Sequence, residues 1–142
     1  MFKKILIANR GEIAVRIIRA CRELGVKTVS VHSNSDSEAM HVKLADESIC
    51  IGESNAASSY LNIPNILSAA TITGSDAVHP GYGFLSENEK FSEILSKYKI
   101  KFIGPSPESI FSLGNKNNAL KIAKKFNIPI LGSGEDSTIT SV

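Results

Sequence analysis

Residues 4–31 read KILIANRGEIAVRIIRACRELGVKTVSV, and the reading of this stretch decides the fold. Lys4 to Ala8 is a short apolar run of the kind that forms a buried strand. From Gly11 to Leu24 apolar residues recur at Ala14, Ile17, Ile18, Cys21 and Leu24, the spacing of one helix face. Gly25 follows as a stop signal, and the β-branched run Lys27 to Val31 predicts a second strand. Strand, turn, helix and strand joined by such short links make one right-handed crossover of a parallel sheet.

The same pattern continues along the chain. Ser48 to Ile51 reads as a strand, Ile63 to Ala70 as a helix with Pro64 in its first turn, and Asp76 to Val78 as a strand running into His79 and Pro80. Asn88 to Lys97 is helical and Lys101 to Ile103 a strand. The break at Gly104-Pro105-Ser106-Pro107 precedes helical stretches over Glu108 to Leu113 and Lys116 to Phe126. The alternation predicts an α/β domain over residues 1–130: an open, mostly parallel, Rossmann-like sheet with helices on both faces. Residues 131–142 are polar and turn-rich and read as a linker into a following region, ending without a closing element as a truncated chain would.

Sixteen basic and fourteen acidic side chains leave a net charge of +2, too small an imbalance to indicate nucleic acid or an anionic membrane as partner. The first apolar run is too short for a signal peptide or a membrane span, which predicts a cytoplasmic location. The two cysteines, Cys21 and Cys50, lack the spacing of a metal site and are expected as small buried hydrophobes.

In an open parallel sheet ligands collect beyond the carboxyl ends of the strands, so the loops there carry the chemistry. The first, Asn9-Arg10-Gly11-Glu12, precedes a helix and could cradle phosphate, but a dinucleotide fingerprint needs three spaced glycines and only Gly11 is present. Asp36, a candidate ribose-binding acid, reads better as a cap of the next helix. Glu12, Arg16, Arg19 and Glu23 form a charged stripe on the first helix, read from spacing as a solvated face; such a stripe could also meet its own copy across a two-fold axis. The segment His79-Pro80-Gly81-Tyr82-Gly83-Phe84-Leu85-Ser86-Glu87-Asn88 is the most unusual. Its glycines would let backbone N–H groups approach a ligand, or they could serve a tight connection that packs Tyr82, Phe84 and Leu85 and starts a helix at Glu87 or Asn88. Lys116, at a helix start where a cation opposes the dipole, is a weak hint of an anionic partner.

Taken together, Ile5 to Ala14, Ala45-Asp46-Glu47, His79 to Asn88, Phe102-Ile103-Gly104-Pro105 and Gly114-Asn115-Lys116 resemble, in order and spacing, the N-terminal, pre-ATP-grasp domain of the biotin carboxylases. The resemblance runs from Met1 to about Gly134 and is greatest to the bacterial or plastid-type subunit of acetyl-CoA carboxylase, which would place the protein in cytoplasm or plastid stroma. It implies an ATP-grasp ligase in which ATP and bicarbonate form carboxyphosphate and the carboxyl group passes to biotin on a carrier protein, with Mg2+ or Mn2+ at the phosphates. It also implies Lys116 as an ATP contact, and Gly81, Tyr82, Gly83, Phe84 and Glu87 as a wall of the biotin and bicarbonate pocket. Arg16, Arg19 and Glu23 would belong to a homodimer interface, and carrier and carboxyltransferase subunits would be partners. The family's usual aspartate is replaced by Asn115, which caps a helix about as well but without charge. The metal ligands and remaining machinery are expected outside this chain, which alone should not be a catalyst. A pyruvate or propionyl-CoA carboxylase remains the alternative, with an oxidoreductase domain or a pure assembly module further off.

Overall fold

The computed structural model describes residues 1–114 and 116–130. The expected linker at 131–142 and the departure at Asn115 therefore lie outside the described residues. Along the chain run β1 (Lys4–Ile7), α1 (Gly11–Glu23), β2 (Lys27–Ser33), α2 (Met40–Leu44), β3 (Glu47–Gly52), α3 (Ile63–Ile72), β4 (Ala77–His79), α4 (Glu89–Lys97), β5 (Lys101–Phe102), α5 (Pro107–Gly114) and α6 (Lys116–Lys125). The five strands form one sheet in the order β3-β2-β1-β4-β5, every pair parallel, as the alternation predicts.

The pleat of β1 divides the core. Leu6 and Ala8 turn to one face with Val29, Val31 and Val78, where Ile66 and Ala69 of α3, Phe91 and Leu95 of α4 and Ile110 of α5 close over them. Ile5 and Ile7 turn to the other face and meet Ala14, Ile18 and Cys21 of α1. Burying one such large apolar side chain stabilises by roughly 1.5–3 kcal/mol, so helices on both faces are what a sheet of this composition requires. Phe91 and Phe102 meet edge to face with centroids 6.0 Å apart. At the end of α1, Val26 N donates to Cys21 O and Gly25, at φ +69, turns the chain back into β2.

Two expectations need correction. Cys21 is buried, but Cys50 is exposed: Ile51 turns to the core from β3, so the neighbouring Ser48 and Cys50 face away at the sheet edge. The helix expected next after Asp36 is given no bounds by the sequence, and it begins only beyond Ala39, as α2. Five residues with one buried side chain, His41, are too few to show a helical period. No helix among the described residues is long and apolar enough to cross a membrane.

The amino edge of the sheet is held by aspartates. Asp46 accepts from Thr28 N at 2.9 Å, from Thr28 Oγ1 at 3.0 Å and from Lys27 Nζ at 2.7 Å, latching the start of β2 to that of β3. Asp76 does the same for β1, accepting from the backbone N–H groups of Lys3 and Lys4. The Lys27 ammonium and the Thr28 N–H hold the Asp46 carboxyl down at about 2. Its folded value lies below the ordinary 3.8, so its contribution is present above about pH 4 and is lost as pH falls toward 2. Because the Asp46 side chain is 37% exposed, solvent screening limits the effect to the order of 1 kcal/mol or less. Asp46→Asn is accordingly expected to lower the thermal midpoint by a few degrees at pH 7 and to converge with the parent near pH 2, measured by circular dichroism melts across that range.

Candidate functional site

The strand order reverses direction between β1 and β4, the point at which open parallel sheets accept ligands. The loops leaving these two strands are tied together there. Ala8 N donates to His79 O at 2.9 Å. Asn9, 1% exposed, donates from Nδ2 to Pro80 O and to Tyr82 O, each at 2.8 Å, and its Oδ1 accepts from Arg10 N at 2.9 Å. Both amide hydrogens and the amide oxygen are engaged, which fixes the side chain's orientation. The amide sits between the loops that leave β1 and β4.

Gly81 makes this clamp possible. It lies at φ +65, and a Cβ there would stand 2.6 Å from Asn9 Nδ2 and 2.8 Å from Ile13 Cγ2. Beyond it Phe84 adopts φ 42, a left-handed conformation uncommon for an aromatic residue. Gly81 N donates to His79 Nδ1 at 3.1 Å, which requires a neutral ring, and burial of His79 pushes its pKa below the ordinary histidine value.

A second cluster braces the loop from behind. Arg10 Nη2 lies 2.7 Å from Asp36 Oδ1; Asp36 Oδ2 accepts from Tyr60 OH at 2.6 Å and from Ser33 Oγ at 3.1 Å. Ser33 N donates to the Tyr60 oxygen at 3.1 Å. The Tyr60 ring stacks on Phe84 with centroids 5.1 Å apart and planes inclined by 19°, and the Arg10 guanidinium lies 5.8 Å from the Tyr60 centroid. Burial alone would raise the Asp36 carboxyl, but the Tyr60 hydroxyl, Arg10 and Ser33 outweigh it and keep it below the usual value. Burial and the Asp36 carboxylate push the Tyr60 phenol up to about 12. Donor and acceptor therefore keep their roles at neutral pH. Asp36 is thus not the helix cap that its serine-rich turn suggests: α2 begins after Ala39 with no side-chain cap, and both Asp36 oxygens are engaged by this cluster.

Of the residues singled out by sequence, Gly81, Tyr82, Gly83, Phe84 and Glu87 share this loop. Tyr82 is 74% exposed, Glu87 is exposed, and Phe84 is half-buried against Tyr60. Leu85 is buried and Asn88 caps α4, its Oδ1 accepting from Phe91 N at 2.9 Å, so the loop packs inward at its end while Tyr82 stands out. Arg16, Arg19 and Glu23 are exposed on α1 opposite Ala14, Ile18 and Cys21. Lys116 opens α6, exposed, on a helix pair that packs through α5 onto α4. Sequence reasoning weighs Asn9 and Arg10 only as part of a phosphate cradle, missing their bracing role, and overlooks Tyr60. The available signals were a polar residue directly after a buried strand and a lone aromatic in the polar run ESNAASSY at 53–60.

The geometry agrees with comparison to known proteins. Residues 1–110 match the model of the biotin carboxylase N-terminal domain, and the chain belongs to that family. It is 56% identical over 134 residues to a biotin carboxylase of Nostoc, covering 94% of this chain and 30% of that protein. The solved biotin carboxylase–β,γ-ATP complex of Campylobacter jejuni superposes with a TM-score of 0.90 at 48% identity, over 93% of this chain and 30% of the other. The biotin carboxylase domain dimer of the Hydrogenobacter thermophilus 2-oxoglutarate carboxylase, in complex with MgADP, ADP and bicarbonate, gives a TM-score of 0.88 at 46% identity, over 92% and 29%. The chain thus spans about three tenths of the length of these relatives.

The clamp can be tested by a double-mutant cycle. Asn9→Ala removes three hydrogen bonds, one of them buried, and should cost about 1–3 kcal/mol, while Gly81→Ala adds a left-handed Cβ against the amide and should cost a similar amount. Because the first change opens space beside the second, the double variant is expected to lose less than the two losses combined, by at least about 0.5 kcal/mol in urea unfolding. Strict additivity would show that the contact is not strained.

Proposed function

We propose that this chain is the N-terminal domain of a biotin carboxylase, an ATP-dependent ligase that carboxylates biotin on a carrier protein as the first half-reaction of acetyl-CoA carboxylase. The observation that carries this reading is the braced glycine loop. In a member of this family the switch point of the sheet is filled by Asn9, and the loop that begins at Gly81 holds Tyr82 out in solvent while Leu85 packs inward. A wall of glycine backbone and one exposed ring suits the planar, uncharged ureido ring of biotin; because the loop holds no lysine or arginine, this reading leaves the charge of bicarbonate to other residues of the pocket.

In this reading Gly81, Tyr82, Gly83, Phe84 and Glu87 line one side of the biotin and bicarbonate pocket, and Lys116 supplies a fixed cation to ATP phosphate. Bicarbonate attacks the γ-phosphorus, releasing ADP and giving carboxyphosphate, whose carboxyl group then passes to a ureido nitrogen with release of phosphate. Magnesium or manganese would neutralise phosphate charge during that transfer. Among the described residues no three His, Cys, Asp or Glu side chains stand together to hold such an ion, so its ligands are assigned to the rest of the enzyme. Arg16, Arg19 and Glu23 are assigned to a homodimer contact, a reading supported by the dimer named for the Hydrogenobacter domain. That relative also carries a different acceptor in its name, so a 2-oxo acid or another acyl-CoA is the alternative to acetyl-CoA. Cytoplasm, or plastid stroma, is the compartment this reading implies.

Two measurements on the full-length enzyme test it. Lys116→Gln keeps length and helix propensity but removes the charge, and loss of one charge-assisted contact, roughly 1.5–3 kcal/mol, should reduce biotin-dependent ATP hydrolysis by about ten-fold to more than a hundred-fold. A change within about two-fold in both kcat and KM for ATP would remove Lys116 from the site. Arg19→Glu places like charge beside Glu23 and is expected to weaken self-association in sedimentation velocity; an unchanged dimer would reject the interface role.

A further inference from the structure

Tyr60 has no part in the chemistry proposed above, yet it joins the two clusters at the carboxyl edge. Only 2% of it is exposed, so it cannot touch a ligand in the cleft. Its ring nevertheless lies flat against Phe84, the one residue of the outward loop held at a positive φ without being glycine. Left-handed backbone is uncommon at a bulky residue and persists only where the surroundings impose it. Two contacts hold it: the turn in which Ser86 N donates to Gly83 O at 2.9 Å fixes the backbone on either side, and the stacked Tyr60 ring fixes where the Phe84 side chain lies. The ring in turn cannot slide, because its hydroxyl donates to Asp36 Oδ2 at 2.6 Å and accepts from Ser33 N at 3.1 Å, while Arg10 holds the other oxygen of Asp36 at 2.7 Å.

We propose that Tyr60 is a positioning residue: anchored by Arg10, Asp36 and Ser33, it fixes Phe84 and so sets the shape of the Gly81 to Glu87 wall against which biotin and bicarbonate bind. The inference rests on the function proposed above, and it assigns a residue 21 positions before Gly81 to the shape of that wall. The order of events along the chain is physical. The ion pair fixes the carboxylate, the carboxylate fixes the phenol, the ring fixes Phe84, and Phe84 fixes the backbone that meets the ligand.

A positioning role and a merely structural role separate in steady-state kinetics of the full-length enzyme. Tyr60→Leu removes both the stack and the hydroxyl. It should raise KM for biotin or bicarbonate by about two- to ten-fold, the range expected for one aromatic pair, with KM for ATP within about two-fold of the parent. Tyr60→Phe keeps the ring and loses only its anchor, so its shift should be smaller. If Tyr60 only stabilises the fold, the variants lower the active fraction and hence the apparent kcat, and all three KM values stay at the parent's. That result, in folded enzyme, overturns the proposal. Should Tyr60→Leu fail to fold, Tyr60→Phe and Asp36→Asn decide it: a raised KM for biotin or bicarbonate at constant KM for ATP in either supports the proposal, and unchanged values in both overturn it. A parent with no biotin-dependent ATP hydrolysis at all would instead reject the function itself, and this inference with it.

Discussion

The side-chain amide of Asn9 is the interaction on which the carboxyl edge depends. A parallel sheet that grows first to one side of β1 and then to the other must open a cleft between β1 and β4, because successive loops leave in opposite directions. Something has to fill it. Here a buried carboxamide spans it, satisfying the buried carbonyl of Pro80 and the part-buried carbonyl of Tyr82. A neutral amide does this without the desolvation cost of a charge, and it demands a glycine opposite, since any Cβ at 81 would occupy the same space. The position of the loop thus follows from a pairing of residue types more than 70 residues apart in sequence.

The two edges of the sheet divide their labour. At the amino edge, Asp46 and Asp76 spend their carboxylates on the first N–H groups of neighbouring strands, which a parallel ladder leaves without partners. Those contacts serve stability alone. At the carboxyl edge the polar side chains Asn9, Arg10, Asp36 and Tyr60 brace loops rather than strands, and they leave the outward face of the glycine segment free. Aspartates within one small domain therefore have different jobs, distinguished by the end of the strand on which they stand.

The fold was legible in the sequence because strands and helices of adequate length carry their own periodicity. Residues 4–31 alone imply the parallel crossover, and the same signal places α3, α4 and the later strands to within a few residues. The short α2 has too few residues to show a period, and Cys50 reads as buried because a strand-like run does not reveal that its strand is an edge. The glycine loop was visible as an unusual composition. Its supports were not: Asn9 resembles any turn residue, Asp36 any cap, and Tyr60 any core aromatic. What distinguishes them is the partner each meets across 24 to 73 residues of chain, which a linear pattern does not encode.

The exposed Cys50 lies on β3, one of the two edge strands, which pairs with β2 alone. A free strand edge is a template on which another chain can add a ladder, and proteins limit that hazard by bending or shortening such strands. Here the register slips between His32 and Ser33, and Gly52, at φ +139, passes so close to Ser58 O that no side chain could be accommodated. The edge is therefore short and interrupted, and an encounter between two copies along it is weak. The Cys50 thiol on that strand is turned back into the domain, donating to Asn34 Oδ1 at 3.0 Å, and so ties β3 to the segment that follows β2.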